Sequence, residues 1–282
     1  PLLALSVPAW GQAEIPGECE ASQGEDNVLM PVGCRLVVIG GLQAPIGDDA
    51  YSTVKIKPDS TTRLENTLRD VPSLQQFRRS DARSANPTSQ GITIRGLGGN
   101  ASSRALLMLD GVPQADPFGG WVAWPGYEAL SLAEARVRRG GGSVTDGSGA
   151  IAGTVELFSD DVGDIIDLGL AYGSRNSIDG KLLFGRELGQ GQLTISASYA
   201  SGDGFVPIIA SQRGTVDRQA AYEQAGLAVR YVAPLSDNTE LQANVRVFTD
   251  DRERGFEFSD NHNDGADASI RLVNRSDTGW QW

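Results

Sequence analysis

The stretch GITIRGLGGNASSRALLMLDGVPQADPFGGW, residues 91–121, has two short apolar runs, Ile92 to Arg95 and Ala105 to Asp110, on either side of a segment rich in Gly, Asn and Ser. An aromatic cluster follows them. Asp110-Gly111, with Pro113 close behind, is a turn signal. The two runs are expected to pair as a hairpin with its turn at Leu97 to Ser103. Towards the N-terminus, Leu64, Leu68 and Val71 fall at i, i+4 and i+7, one helical face that Pro72 ends, so a helix is expected over about 61–70. Residues 73–90 read as a polar loop. Towards the C-terminus, Glu134 to Arg139 and Thr154 to Phe158 are further short strands. Together these segments make a small α+β region.

Composition narrows the function classes. The 282 residues include 35 Gly and only 7% aromatics, which suits strands and turns. One histidine, His262, and two cysteines, Cys19 and Cys34, leave too few groups for a metal cluster or a nucleophilic triad. No enzyme and no cofactor are expected. A hydrolase using Ser143 or Ser148 with His262 is set aside, because that histidine lies in an acidic loop far along the chain. A glycine-rich phosphate loop at RGGGSVTDGS is set aside as well, for it lacks the Lys-Ser/Thr that holds phosphate and metal. The net charge of −12 repels phosphate backbones, so no nucleic-acid partner is expected. No run of about 18 apolar residues marks a membrane helix.

The opening PLLALSVPAWGQAEI reads as the end of a secretory signal, residues 1–13, with small residues before a cut after Ala13; a buried strand is the other reading. Export would make Cys19 and Cys34 a candidate disulfide, closing a short loop worth roughly 2–3 kcal/mol. Residues 14–41 read as a flexible N-terminal segment.

Beyond residue 160 the texture changes to about six alternating segments. In QLTISASYA, Leu193, Ile195, Ala197 and Tyr199 point one way, while Thr194, Ser196 and Ser198 point the other. In ELQANVRVF, Leu241, Ala243, Val245 and Val247 alternate with Gln242, Asn244 and Arg246. Successive strand side chains face opposite sides, so each segment has one apolar and one polar wall. The remaining strands are expected at about 164–172, 178–187, 221–232 and 267–275. LGQG and APLSDN are short connections, as is GSRN, while SGDGFVPIIASQRGTVDRQ and DDRERGFEFSDNHNDG are long. Mostly short turns at one end and longer loops at the other fit an outer-membrane meander. A soluble antiparallel sandwich with one wall in a core fits the alternation equally well.

Four motifs in order, ITIRGLGG, ALLMLDGVPQADPFGGWVAW, ARVRRGGGS and GSGAIAGTVEL, resemble the plug domain of TonB-dependent outer-membrane receptors. The last has Ala152 before Gly153 where that family often has paired glycines. The resemblance covers about residues 36–160. It implies an α+β plug over 42–160, a small mixed sheet with short helices, followed over 161–282 by antiparallel up-and-down strands of an incomplete transmembrane β-barrel. A receptor barrel of roughly 22 strands is not completed by six, so the chain is expected to be a fragment.

The resemblance further implies an exported Gram-negative outer-membrane protein for active uptake, with TonB, outer-membrane lipid and a small-molecule substrate as partners. Iron chelates, cobalamin, saccharides and other metal complexes all suit it. The external plug loops place substrate contacts at Arg78, Arg79, Arg83, Asn86, Gln90, Gln114, Asp116, Phe118, Trp121 and Trp124, with tight packing under the loop as the other reading of the aromatics. Leu36, Val37, Val38, Ile39 and Gly40 are similar to a TonB box, with NVLMPV at 27–32 as a rival. Arg95 and Arg139, each preceding glycine, are expected to latch the plug to acidic residues of the inner wall. Surface pairing of these arginines is the alternative. A secreted soluble β-rich binding protein without transport activity remains the competing function. The acidic residues Asp250, Asp251, Glu253, Asp260, Asp264 and Asp267 are read as a solvated loop rather than a cation site.

Overall fold

Leu64, Leu68 and Val71 are all buried in the computed structural model, which describes residues 51–56, 63–77, 83, 90–96, 103–114, 116, 119–141 and 149–274. Strand β1 is Tyr51–Lys55, which the sequence pattern did not reveal. Helix α1 is Leu64–Arg69; Asp70 closes it through its backbone N–H. Strand β2, Leu74–Gln76, lies inside the segment expected to be loop, and pairs antiparallel with β3, Ile92–Ile94.

The expected hairpin does not form. Strand β4, Ala105–Leu109, pairs antiparallel with the short β5, Val112–Pro113, and on its other side runs parallel to β7, Gly153–Ser159. Four consecutive β4 residues, Ala105 to Met108, are buried. A strand covered on both faces suits the middle of a sheet with a parallel neighbour. Strand β3 touches only its start, where the Arg104 N–H donates to the Ile92 carbonyl at 2.8 Å. With β6, Leu132–Arg139, the main plug sheet has the order β1-β6-β7-β4-β5. The core beneath it joins Leu64 and Leu68 to Ile94, Leu107, Val137, Val155 and Leu157. Gly153 cannot carry a side chain: at φ +138° its added Cβ would lie 2.0 Å from the Arg138 carbonyl oxygen. Ala152 beside it is completely buried, so the departure from paired glycines fits the packing.

Glu156 on β7 is half-buried opposite Arg136. Burial raises its carboxyl pKa, with Arg136 and Arg138 pulling the other way. An acid held above its unfolded value lends stability below that value and loses it as pH rises through the folded one. Glu156→Gln should therefore raise the plug's urea midpoint at pH 7, with the gain closing on acidification past the ordinary glutamate range. Hydrogen exchange of β4 and β7 amides in the folded protein reads it.

The second half is a six-stranded antiparallel sheet in sequence order: β8 Ile165–Tyr172, β9 Ile178–Leu188, β10 Gly191–Gly202, β11 Tyr222–Ser236, β12 Thr239–Arg252 and β13 Asn261–Asn274. Residues 189–190 and 237–238 turn the chain at one end; 173–177, 203–221 and 253–260 do so at the other. The last connection is shorter than expected, because Asp250 and Asp251 belong to β12 and residues 261–265 to β13. Register places Leu182, Ala197, Leu227 and Val247 in one row, and Phe184, Ile195, Val229 and Val245 in the next. This outward face is apolar and open: Leu168 is 75% and Ile270 81% exposed. The opposite face carries Lys181, Gln192, Thr194, Ser196, Gln224 and Arg246, all buried. What buries them is the plug.

Candidate functional site: the plug–wall interface

The inner wall is polar, and a polar group removed from water needs a partner. Each cation on it finds one. On β9, Lys181 Nζ lies 3.1 Å from Glu128 Oε1 of the plug, with both side chains 7% exposed. The same carboxylate caps the turn that follows, accepting the Leu130 N–H. On β11, Arg230 Nε donates to Asp110 Oδ2 at 3.1 Å. Asp110 also accepts from the Ser159 N–H at 2.9 Å and the Ser159 hydroxyl at 2.7 Å, while its carbonyl accepts from Arg271 on β13. On β12, the Arg246 Nη2 donates to Gln114 Oε1 and to Asp267 Oδ2, both at 2.6 Å. Its guanidinium lies 4.0 Å from the ring centroid of Tyr127, a cation–π contact inside the interface. Burial pushes the Tyr127 hydroxyl up to about 12, so it stays neutral and donates to Gln114 at 3.4 Å.

Near the ends joined by the long loops the polarity reverses. Plug residues Arg63 and Arg83 both reach Asp179 of β9, Arg63 at 3.3 Å. Arg63 also donates to Gln224, whose amide donates to Asp250 at 2.8 Å, and Asp250 is paired with Arg252. Arg83 donates to the Tyr222 hydroxyl at 2.9 Å and lies over its ring. Buried ions stay charged only when matched in this way. The interface is thus a fitted polar seam.

The residues expected to latch the plug are placed elsewhere. Arg139 donates to Ser73 Oγ at 3.0 Å, to Ser52 and to the Pro72 carbonyl, all within the plug. Arg95 sits exposed at φ +59° after β3. Among the described residues the cations that cross the seam are Arg63 and Arg83 from the plug and Lys181, Arg230, Arg246 and Arg271 from the wall. For the four wall cations the signal was available: a charged residue on the polar side of an alternating strand must face whatever fills the lumen.

Of the expected substrate residues, Arg83 and Gln114 reach the wall, and Asp116 accepts the Gly119 N–H in its own loop at 2.7 Å. Trp121 is half-buried. Gln90 and Trp124 are 5% and 3% exposed, packed into the plug rather than presented on its surface. Arg78, Arg79, Asn86 and Phe118 lie outside the described residues, as do Ser143, Ser148, the segment Leu36 to Gly40, and Cys19 and Cys34. His262 is held by Asp251 at 2.6 Å and Asp264 at 3.0 Å. Among the described residues no group of acidic, His and Cys side chains has metal-site geometry, and no helix is long and apolar enough to cross a membrane.

Residues 43–154 match the TonB-dependent receptor plug domain family. No curated protein sequence matches the chain. Among solved structures, the ferric enterobactin receptor PfeA of Pseudomonas aeruginosa is similar at a TM-score of 0.58 and 14% identity, over 83% of this chain and 39% of that one. The copper transporter OprC gives 0.59 and 16%, over 82% and 36%. FpvA of P. aeruginosa, solved with heterologous pyoverdines, gives 0.58 and 14%, over 82% and 32%. The chain therefore spans about two fifths or less of the receptors it matches. Residues 43–154 thus match the TonB-dependent receptor plug family, and the plug with the strands that follow it shares the fold of those receptor structures.

Proposed function

We propose that the chain is the plug and opening wall segment of an outer-membrane receptor that actively imports a scarce small molecule. One observation carries the reading: the sheet's polar face is sealed against the plug by paired buried charges, while its apolar face is left open. An apolar surface of that extent is stable against lipid and a liability in water. The soluble binding protein has no use for it.

In this reading the signal segment directs export, and substrate binds from outside among the wall loops and the plug residues Arg78, Arg79, Arg83, Asn86, Gln114, Asp116, Phe118 and Trp121. TonB captures Leu36 to Gly40 by strand addition, in which backbone hydrogen bonds carry the pull. Loosening of the plug then opens a path, with no covalent chemistry.

The test is growth of a strain lacking the full-length gene on a panel of limiting nutrients, with and without TonB. The wild-type gene should restore growth on one of them only when TonB is present. Val38→Pro removes a backbone donor from the captured strand and should abolish that rescue while leaving the protein in the outer membrane. Recovery of the full-length protein in a detergent-free soluble fraction, or rescue indifferent to TonB, would sink the reading.

A further inference from the structure

Three wall arginines meet one short piece of the plug. Pairing sets Arg246 opposite Ala228, Arg230 opposite Asn244, and Arg271 opposite Gln242. The three therefore stand on adjacent strands at successive inward levels, each step two residues or about 7 Å along the strand. All three are held by residues 110–114, the turn after β4, strand β5 and the residue that follows it: Gln114 takes Arg246, the Asp110 carboxylate takes Arg230 and the Asp110 carbonyl takes Arg271. On β11, β12 and β13 at these levels, among the described residues, Asp267 is the only acidic residue on the inward face, beside Arg246.

A cavity of about 80 Å³ remains between segment and wall, lined by Asp110, Gln114, Arg230, Arg246, Asp267 and Arg271. The Arg246 side chain is 5% exposed, yet its Nε and Nη1 have no hydrogen-bond partner. Guanidinium N–H groups buried without acceptors are costly. The closed plug thus leaves two of the guanidinium's donors without an acceptor.

We infer that Arg246, Arg230 and Arg271 form a descending subsite for an anionic, oxygen-rich cargo, and that the Asp110 to Gln114 segment occupies it in the closed state. This deepens the uptake reading and rests on it. Withdrawal of that one segment strips Arg230 and Arg271 of these acceptors and leaves Arg246 with Asp267 alone. A cargo presenting several anionic oxygens replaces those acceptors level by level, whereas a neutral or cationic cargo leaves the charges unmatched. The neighbouring wall groups Thr194, Asn244 and Ser269 add uncharged hydrogen-bonding capacity.

The experiment uses the full-length receptor in a planar bilayer, with urea raised until the plug loosens and the wall still conducts. Reversal potential under a KCl gradient gives the chloride-to-potassium permeability ratio. Replacing the trio together (Arg230→Gln, Arg246→Gln, Arg271→Gln) should lower that ratio severalfold, and Arg271→Gln alone should lower it less, which keeps the test intact if the triple variant fails to fold. Arg→Lys at the three positions should preserve it. Citrate should block the wild-type current and lose that block in the Gln variants. An unchanged ratio, block by spermidine in place of citrate, or a plug that never loosens before the wall unfolds overturns the inference. Failure of TonB-dependent growth would instead overturn the uptake reading and leave the conductance result standing.

Discussion

Gly226→Val should leave a wall that inserts and a plug that does not seat. Gly226 lies on the inner face of β11, where the turn Trp124–Gly126 approaches the wall. A Cβ added there would stand 2.2 Å from the Pro125 carbonyl oxygen and 3.2 Å from Ser198 Oγ. The first of these is backbone, so no rotamer change relieves it. Nor can the turn retreat, because Trp124 beneath it is fixed in the plug core and Arg246 presses on the adjacent Gly126. Overpacking of a closed contact costs roughly 1–3 kcal/mol, more when backbone must move. Valine in a strand is otherwise favourable. The wall alone should thus be unharmed or slightly stabilised, while plug seating is lost. Limited proteolysis of the folded protein should cut the plug quickly in the variant and slowly in wild type, with hydrogen-exchange protection of the wall strands unchanged. Equal protection of the plug in both would show that the close approach is not what the geometry says it is.

The division between what could and could not be read from residue order has a physical basis. Side-chain alternation reports strand direction and face, so all six wall strands and their polar and apolar sides were legible. The helical face at Leu64, Leu68 and Val71 was legible for the same reason. Strand partners were not: an apolar run such as Ala105 to Met108 signals burial on both faces but not which neighbour covers each, and the assumed hairpin with β3 gave way to parallel pairing with β7.

Lengths were understated where charge lies inside a strand. Asp250 and Arg252 read as loop residues, yet they sit on the inner face of β12 and neutralise each other at 1% and 2% side-chain exposure. Arg139 is held inside the plug for a related reason. Arg139 is satisfied by Ser52 and Ser73, one on the strand β1 that carried no clear pattern and one at the turn read as loop. The seam residues Lys181 and Arg230 were visible as charges on the polar wall, but of their acceptors Asp110 read as a turn residue and Glu128 gave no signal. A turn aspartate and a buried counter-ion look alike until the partner strand is in place.

Asp110 is where that double role can be separated. Its φ of +48° ends β4 in a conformation that Asn and Asp tolerate and Ala does not, and its carboxylate ties β4 to Ser159 at the end of β7 and to Arg230 of the wall. Asp110→Asn keeps the backbone conformation and one acceptor for Ser159 but removes the negative charge. The Arg230 side chain, only 16% exposed, is then left without its counter-ion. Breaking a buried pair in this way costs about 3–5 kcal/mol. Asp110→Ala loses the Ser159 bonds as well and adds the strained φ, so it should cost more than Asp110→Asn. Arg230→Met in the Asp110→Asn background removes the orphaned charge and should recover most of the loss, a coupling of a few kcal/mol in a double-mutant cycle. Urea titration of the folded protein, read by hydrogen exchange at β4 and β7, measures each step. If Asp110→Asn matches wild type, or if Arg230→Met fails to rescue it, the pair does not hold the plug. If rescue succeeds while Asp110→Ala stays lower, the same side chain is both the turn that shapes the plug and the charge that binds it to the wall.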